Sequence, residues 1–236
     1  MWRLVPLVLA VLLSGLVAAQ TEWVDLALAL AVDVSESVDA ARFTLQMQGI
    51  AAALESPEVQ ASVLSGPHQA MLIALVQWSN RPTLSVPWTL LTSGDDVRRF
   101  ADRVRRVRRA DKGFTCMSTA LRSIADKIMT QLPVPAERMV VDVSGDGQDN
   151  CNRQETVDEV RDELVAAGIA VNGLPILEGK EAATLEDWYR DHVIGGPNSF
   201  LVPAMGFQDF ERAMRRKFVT EISVAPCVGC VRAVSR

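Results

Sequence analysis

The sequence predicts an α/β protein: a three-layer sandwich in which helices cover both faces of a doubly wound, mostly parallel six-stranded sheet. Continuous apolar runs of strand length, such as residues 26–32 and 70–76, lack the alternation of half-exposed strands and therefore predict strands buried on both faces. Segments with helical spacing of apolar residues separate these runs, as the crossover connections of a parallel sheet require. Together these features predict a Rossmann-like arrangement of alternating strands and helices.

The six predicted strands are apolar runs bounded by polar or turn residues. In chain order they are residues 24–33, 70–78, 83–86, 138–143, 169–176 and 199–202. The third is short and follows a turn at residues 79–82, so we expect it to lie antiparallel at an edge of the sheet.

Helices are predicted between the strands, where apolar residues recur at intervals of three and four. They cover residues 37–54, 95–109, 117–132, 154–167, 184–193 and 207–221. Ser37 is the expected N-cap of the first helix, and Gly168 is expected to end the fourth. Residues 55–69 contain two prolines and a glycine and are predicted to form a loop.

Composition and charge limit the classes of function. Hydrophobic residues make up 49% of the 236 residues and charged residues 22%, which is typical of a globular protein. The net charge of −5 at pH 7 argues against binding to nucleic acid. His68 and His192 are the only histidines, which leaves little material for a histidine metal cluster or a Ser-His-Asp site.

The N-terminal segment has the pattern of a secretory signal. Arg3 gives a positive start, residues 4–17 form an apolar core, and residues 17–19 are small, so we expect a signal peptide over residues 1–19. The alternative is an uncleaved membrane anchor, although the run is shorter than the roughly 20 residues of a spanning helix. We therefore expect an exported protein, periplasmic or secreted, with one domain over residues 22–224 and a tail over residues 225–236.

Oxygen-bearing side chains follow two of the predicted strands. Asp33, Ser35 and Ser37 follow the first strand and Asp146 follows the fourth, while Thr115 precedes a helix. If the first and fourth strands are neighbours, these side chains meet at the carboxyl edge of the sheet, where open α/β sheets bind ligands. Two carboxylates and three hydroxyls suit a hard divalent cation, and an incoming carboxylate would complete its coordination.

The pattern Asp-x-Ser-x-Ser, followed by a threonine after a glycine and by Ser-Gly-Asp-Gly after a strand, resembles von Willebrand factor A-type (vWA) domains. In that family these residues form the metal ion-dependent adhesion site (MIDAS). The resemblance extends over nearly the whole chain after the signal segment, because element order and motif spacing both match. The chain looks most like an uncharacterised group of exported bacterial vWA-like proteins, known as a domain of unknown function.

The resemblance implies roles for individual residues. Ser35, Ser37 and Thr115 would coordinate Mg²⁺ through their hydroxyls, and Asp33 and Asp146 would bind it directly or through water. Ca²⁺ or Mn²⁺ would suit the same oxygens. The open position would take an Asp or Glu of a partner protein, so neither catalysis nor a small-molecule substrate is expected. The family's usual threonine is replaced at residue 145 by glycine, which removes no ligand.

Two other interpretations remain open on sequence grounds. A haloacid dehalogenase-type metal-dependent phosphohydrolase also places an aspartate such as Asp33 after its first strand, and residues 145–149 resemble its acidic loop. That mechanism needs a second aspartate two residues later as general acid, where this chain has Ser35. The other interpretation is a structural α/β module whose metal site is vestigial.

The four cysteines form two pairs. Cys116 and Cys151 lie in loops predicted to meet at the same crevice, and in an oxidising compartment we expect them to form a disulfide. Cys227 and Cys230 form a CxxC pair in the tail, where a local disulfide or a link to another molecule is favoured over a redox motif.

Residues 98–112 are strongly basic. The simpler interpretation is the solvated face of an amphipathic helix. The functional alternative is a patch for an acidic partner or anionic lipid, which would steer acidic ligands toward Thr115. Its candidate residues are Arg105, Arg106, Arg108 and Arg109.

Overall fold

The computed structural model describes residues 22–151 and 154–223, and these residues form an α/β sandwich around one sheet. The sheet has the order β3-β2-β1-β4-β5, with β3 antiparallel to β2 and the other neighbours parallel. The strands are β1 (Leu26–Asp33), β2 (Met71–Trp78), β3 (Thr83–Leu91), β4 (Met139–Gly145) and β5 (Ile169–Pro175). The prediction of an antiparallel edge strand is confirmed in β3, but this strand extends to Leu91 and is not limited to residues 83–86.

Seven α-helices cover the sheet in the described ranges: α1 (Ala40–Glu55), α2 (Pro57–Val63), α3 (Gly94–Arg105), α4 (Met117–Ser123), α5 (Val157–Ala166), α6 (Ala182–Trp188) and α7 (Phe210–Ser223). Helices α1, α2, α3 and α7 share one apolar core, while α4, α5 and α6 share the core on the other face. Helix α4 continues as a π-helix and then a 3-10 turn to residue 131, and α6 continues as a π-helix to residue 193. Within the described residues we find no helix with the length and apolarity needed to span a membrane.

Strand β1 lies at the centre of the sheet, and every one of its residues is buried. Its alternating sequence places Leu28 and Leu30 in the core under α1 and α7, and Ala29 and Ala31 in the core under α4. Side chains of successive strand residues point to opposite faces, so one face receives the large residues and the other the small ones. The prediction of a strand buried on both faces is confirmed.

The predicted sixth strand is not formed as a strand. Residues 199–202 lie beside β5, but only isolated parallel bridges connect Gly173 with Leu201 and Ile176 with Ala204. Both bridges share one register, which places Pro175 opposite Pro203. Proline has no N–H to donate to a ladder, so the pairing is interrupted between the two bridges.

Several element boundaries also differ from the prediction. The loop predicted at residues 55–69 contains α2, because Pro57 occupies the first turn of a helix that Ser56 caps, a position that favours proline. Helix α1 begins at Ala40, and its cap is Asp39, whose carboxylate accepts from the N–H of Arg42. The prediction that Ser37 is the N-cap was therefore wrong, and its hydroxyl can bond to a group outside α1.

The predicted signal peptide (1–19) and the cysteines Cys227 and Cys230 lie outside the described residues.

A buried charge cluster, which the sequence did not indicate, joins α7 to β4. The Lys217 ammonium lies 3.0 Å from Asp142 and 2.7 Å from Glu221, and all three side chains are buried. The amide of Asn172 on β5 donates to the same Glu221 oxygen over 2.8 Å. Burial, and then the neighbouring Glu221 carboxylate, raises the pKa of Asp142 from 3.8 to about 8, while Lys217 opposes the shift.

Asp142 is expected to make stability depend on pH. A carboxyl whose pKa is higher in the folded protein contributes stability that is complete below its unfolded pKa, here 3.8, and is lost as the pH rises through about 8. The variant Asp142→Asn keeps a donor and an acceptor but cannot ionise. Urea unfolding at pH 5, 7 and 9 should show the parent losing stability relative to this variant as the pH rises. Equal slopes would contradict the assignment.

Candidate metal centre

Strand pairing brings the predicted site together at the carboxyl edge of the sheet. Strands β1 and β4 are neighbours, with Val32 opposite Ser144, so the loop after Asp33 lies next to the loop that begins at Asp146. The segment between α3 and α4 reaches the same edge, because the carbonyl of Gly113 accepts from the N–H of Glu36 over 2.9 Å. The expectation that these three loops meet over one crevice is confirmed.

Hydrogen bonds connect the five predicted residues into one group. The Ser37 hydroxyl donates to Asp146 over 2.6 Å and lies 3.3 Å from the Ser35 hydroxyl. The Thr115 hydroxyl lies 3.4 Å from the Ser35 hydroxyl, and one oxygen of Asp33 accepts from the Ser35 N–H over 2.7 Å. Three separate segments of the chain thus place two carboxylates and three hydroxyls at one point.

Neither carboxylate forms an ion pair with a described residue, although the charge of Arg42 lowers the pKa of Asp146. Asp33 is completely buried, and its Oδ2 atom has no hydrogen-bond partner among the described residues. Burial, and then the charge of Asp146, raises the pKa of Asp33 to about 7. Burial also raises the pKa of Asp146, against the lowering effect of the Ser37 hydrogen bond. A buried carboxylate with an unsatisfied oxygen is costly unless paired, so these residues fit a divalent cation.

A disulfide ties two of the site loops together. Cys116 follows Thr115, Cys151 lies in the β4–α5 loop, and the two are bonded with their Cα atoms 5.0 Å apart. Backbone and side-chain hydrogen bonds between Thr115 and Asn150 reinforce this link: the Thr115 N–H donates to the Asn150 side chain over 2.9 Å, and the Asn150 N–H donates to the Thr115 carbonyl over 3.0 Å. The predicted Cys116–Cys151 disulfide is confirmed.

Three supporting side chains were not recognised in the sequence. Arg109 donates to the carbonyls of Val34 and Ser35 over 2.9 and 2.8 Å. Arg42 donates to the carbonyl of Ser37 over 2.5 Å and is paired with Glu178. Gln46 donates to the carbonyl of Asp33 over 3.2 Å.

The Gln46 interaction had a sequence signal. Gln46 is a polar residue on the buried face of α1, and a polar side chain on an apolar face needs a partner. The arginines had no comparable signal, because their contacts depend on how distant segments pack.

Some arginines of the basic segment at residues 98–112 are engaged in contacts within the protein, which the sequence did not indicate. Arg105 is paired with Glu55, and Arg109 holds the first site loop through the carbonyl contacts above. Arg106, Arg108 and Lys112 are exposed, and no ion pair to a described residue engages them. Of the four arginines predicted as a patch for an anionic partner, Arg106 and Arg108 are therefore exposed without an ion pair, while Arg105 and Arg109 make contacts within the protein.

The site reaches the protein surface. Ser37 is exposed at its mouth, and two exposed apolar side chains lie on the loops around it: Phe114 next to Thr115, and Met205 before the Gly206 turn that contacts Glu178. Their exposed fractions are 66% and 68%. A cavity of about 370 Å³ lies at the opposite edge of the sheet, lined by residues such as Met139 and Ala170 at the strand starts.

Comparison with known proteins identifies a family and a fold for the chain. A family model described as "Protein of unknown function (DUF1194)" matches residues 23–226. No protein in a set of curated sequences matches the chain. Among solved structures, proximal thread matrix protein 1 from the mussel byssus is similar with a TM-score of 0.62 and 16% identity over 84% of this chain and 46% of that one.

A second structure of the same mussel protein, with a zinc-occupied MIDAS motif, has a TM-score of 0.62 and 15% identity, again covering 84% and 46%. The pilus adhesin SpaC from Lactobacillus rhamnosus GG has a TM-score of 0.60 and 12% identity over 84% of this chain and 30% of that one. The chain thus spans less than half the length of each of these three structures. These similarities show that its fold is of the vWA type.

Proposed function

The chain belongs to the DUF1194 family of proteins of unknown function and has a vWA-type fold, and from this premise we propose that it is an exported protein that binds a partner through a divalent cation. The partner contributes an Asp or Glu carboxylate. A binding role is supported by the matched structures, which are a byssus matrix protein and a pilus adhesin.

In this proposal Ser35, Ser37 and Thr115 supply hydroxyl ligands, while Asp33 and Asp146 supply carboxylates directly or through water. The bound cation provides a position for an incoming carboxylate, which oxygen-rich sites for hard cations accommodate. Mg²⁺ is the expected ion, with Ca²⁺ or Mn²⁺ as substitutes. The zinc-occupied MIDAS motif of the mussel protein supports a divalent site in this fold.

The observation that carries the proposal is the buried, unpartnered oxygen of Asp33 next to Asp146. A structural module would be expected to neutralise or pair such groups, because an unpaired buried charge is costly. Here the remaining side chains of the cluster are hydroxyls, which suit a cation and offer no positive charge. The cluster is therefore better explained as a site prepared for a metal ion.

The same side chains do not favour hydrolysis. A haloacid dehalogenase-type reaction needs a carboxyl group at residue 35 as general acid, and Ser35 is buried there with its hydroxyl facing Ser37 and Thr115. The proposal is therefore a binding protein and not an enzyme, and no small-molecule substrate or nucleic acid is part of it.

Export is proposed from two features. Residues 1–19 have the pattern of a signal peptide, and the Cys116–Cys151 disulfide fits an oxidising compartment, periplasmic or extracellular. The mature protein would consist of the domain at residues 22–224 and the tail at 225–236. Membrane association would arise only if the signal remained uncleaved.

Exposed residues around the site indicate how a protein partner would be recognised. Exposed Phe114 and Met205 offer apolar contact beside the metal site, and Arg106, Arg108 and Lys112 offer positive charge on the approach to Thr115. Charges of this kind raise association rates more than they raise affinity. The partner surface is thus proposed to be acidic, with an apolar contact beside the metal-binding carboxylate.

Binding of a carboxylate to the metal is testable without knowing the partner. The protein is loaded with Mn²⁺, and the enhancement of water-proton relaxation is measured while a short glutamate-containing peptide is added. A carboxylate that enters the open position displaces metal-bound water, so the enhancement should fall.

The matched control is the same peptide with glutamine in place of glutamate, which should leave the enhancement unchanged. Equal responses to both peptides, or to neither, would contradict carboxylate binding at the metal. A parallel phosphatase assay with a general aryl phosphate would show activity if the hydrolase interpretation were correct.

A further inference from the structure

We propose that Tyr189 is a positioning residue of the metal centre, whose hydroxyl donates a hydrogen bond to Asp33 through one bridging water molecule. The inference rests on the proposed metal-binding function. It adds to the site a residue in the extension of α6, on the face of the sheet that α4 also covers.

Tyr189 is the only tyrosine among the 236 residues and is completely buried. It begins the π-helical turn Tyr189–Val193 that follows α6, and short π-helical turns are frequent at functional sites. Its ring lies against β5 at Gly173, where a Cβ atom would come within 2.8 Å of the Tyr189 ring. Glycine at residue 173 therefore makes room for the tyrosine ring.

A second glycine makes room for the hydroxyl. A Cβ atom at Gly145 would lie 2.9 Å from Asp33 Oδ2 and 3.0 Å from the Tyr189 hydroxyl oxygen. Both oxygens thus border the space that a side chain at residue 145 would fill, and they are less than about 6 Å apart. A threonine at this position, as the vWA resemblance would lead one to expect, would collide with both.

Each of the two oxygens also lacks a hydrogen-bond partner that the other could help to provide. Asp33 Oδ2 and the Tyr189 hydroxyl are buried, and neither has a hydrogen-bond partner among the described residues. Buried polar groups are paired with protein or with ordered water in the great majority of cases. A phenol can donate and a carboxylate can accept, and two oxygens within about 6 Å that form no direct hydrogen bond can be joined by one bridging water.

This arrangement would hold both oxygens of Asp33. Its Oδ1 atom already accepts from the Ser35 N–H, and Tyr189 would fix Oδ2, so the carboxylate would be oriented before the cation arrives. Groups that orient a metal ligand typically change metal affinity by about 10- to 100-fold when they are removed. In this chain the Tyr189 hydroxyl thus lies next to the space that a side chain at residue 145 would fill.

The test compares Mn²⁺ affinity, measured by titration calorimetry, in the parent, Tyr189→Phe and Trp188→Phe. Tyr189→Phe removes only the hydroxyl, and we expect its dissociation constant to rise about 10- to 100-fold. Its melting temperature in EDTA should stay near that of the parent, because the ring remains. Trp188→Phe changes the neighbouring ring and should leave the affinity unchanged. A variant Gly145→Ala, which places a methyl group between the two oxygens, should weaken binding as well.

The outcomes separate this inference from the proposed function. If the parent binds Mn²⁺, Asp146→Asn abolishes binding and Tyr189→Phe binds as tightly as the parent, the positioning role is wrong while the metal site stands. If Tyr189→Phe binds Mn²⁺ more weakly but also melts at a clearly lower temperature in EDTA than the parent, its hydroxyl supports the fold and not the orientation of Asp33. The role is then structural, and the inference is also overturned. If the parent itself does not bind, both the proposed function and this inference fail.

Discussion

Replacing Lys217 by methionine is expected to destabilise the protein by about 3–5 kcal/mol, because it leaves the buried acidic groups of Asp142 and Glu221 without the cation that they contact. Lys217 contacts both Asp142 and Glu221, and none of the three side chains is accessible to solvent. Methionine fills similar volume, so the loss would come from the unpaired charge and not from a cavity. Urea unfolding at pH 7 measures the change.

Two further variants test whether unpaired buried charge causes the loss of stability. Lys127→Met alters an exposed lysine and should change stability by less than about 0.5 kcal/mol. Adding Asp142→Asn and Glu221→Gln to Lys217→Met removes the buried charges and should recover much of the loss, since apolar and neutral replacements of buried ion clusters are often tolerated. If Lys217→Met is as stable as the parent, the cluster does not hold α7 against β4.

The second large effect is expected from removing the Cys116–Cys151 disulfide. The bond closes a loop with a sequence separation of 35, for which the chain-entropy model gives a loss of about 3–4 kcal/mol. It also joins the loops that position Thr115 and Asp146, so metal affinity should fall together with stability. The double variant Cys116→Ser, Cys151→Ser is compared with the parent by unfolding and by Mn²⁺ titration.

Reductant provides the control for this prediction. The parent should lose stability when the disulfide is reduced, whereas the double variant, which keeps only the tail cysteines Cys227 and Cys230, should lose much less. A double variant that binds Mn²⁺ as tightly as the parent would show that the disulfide stabilises the fold without organising the metal site.

Much of the fold was predictable because it depends on local patterns. The apolar run of β1 and the polar residues after β1 and β4 identified the central strands and the edge at which a site would form. Their convergence followed from one topological condition, adjacency of β1 and β4, which the structure satisfies. The Cys116–Cys151 pairing followed from the same placement.

What the sequence did not reveal depends on contacts between distant segments. The interruption of the sixth strand arises because Pro175 and Pro203 fall opposite each other, which requires the register to be known. The Lys217 cluster could not be predicted, because a lysine on a helix is usually exposed. The approach of Tyr189 to Asp33 depends on two glycines in different strands, and neither glycine alone indicates it.

The most direct test of the account is thermal melting of the mature protein in EDTA and with Mg²⁺, Ca²⁺ or Mn²⁺, beside the variant Asp33→Asn, Asp146→Asn. A cation that binds only the folded protein at 100 times its dissociation constant adds about 2.7 kcal/mol, which corresponds to an increase of about 5–10 °C in melting temperature. The variant should show no such increase. In EDTA it should melt at or above the parent, because repulsion between the two carboxylates is gone. A parent that melts at the same temperature with and without every ion, or a variant with the same metal-dependent increase, would contradict the metal centre.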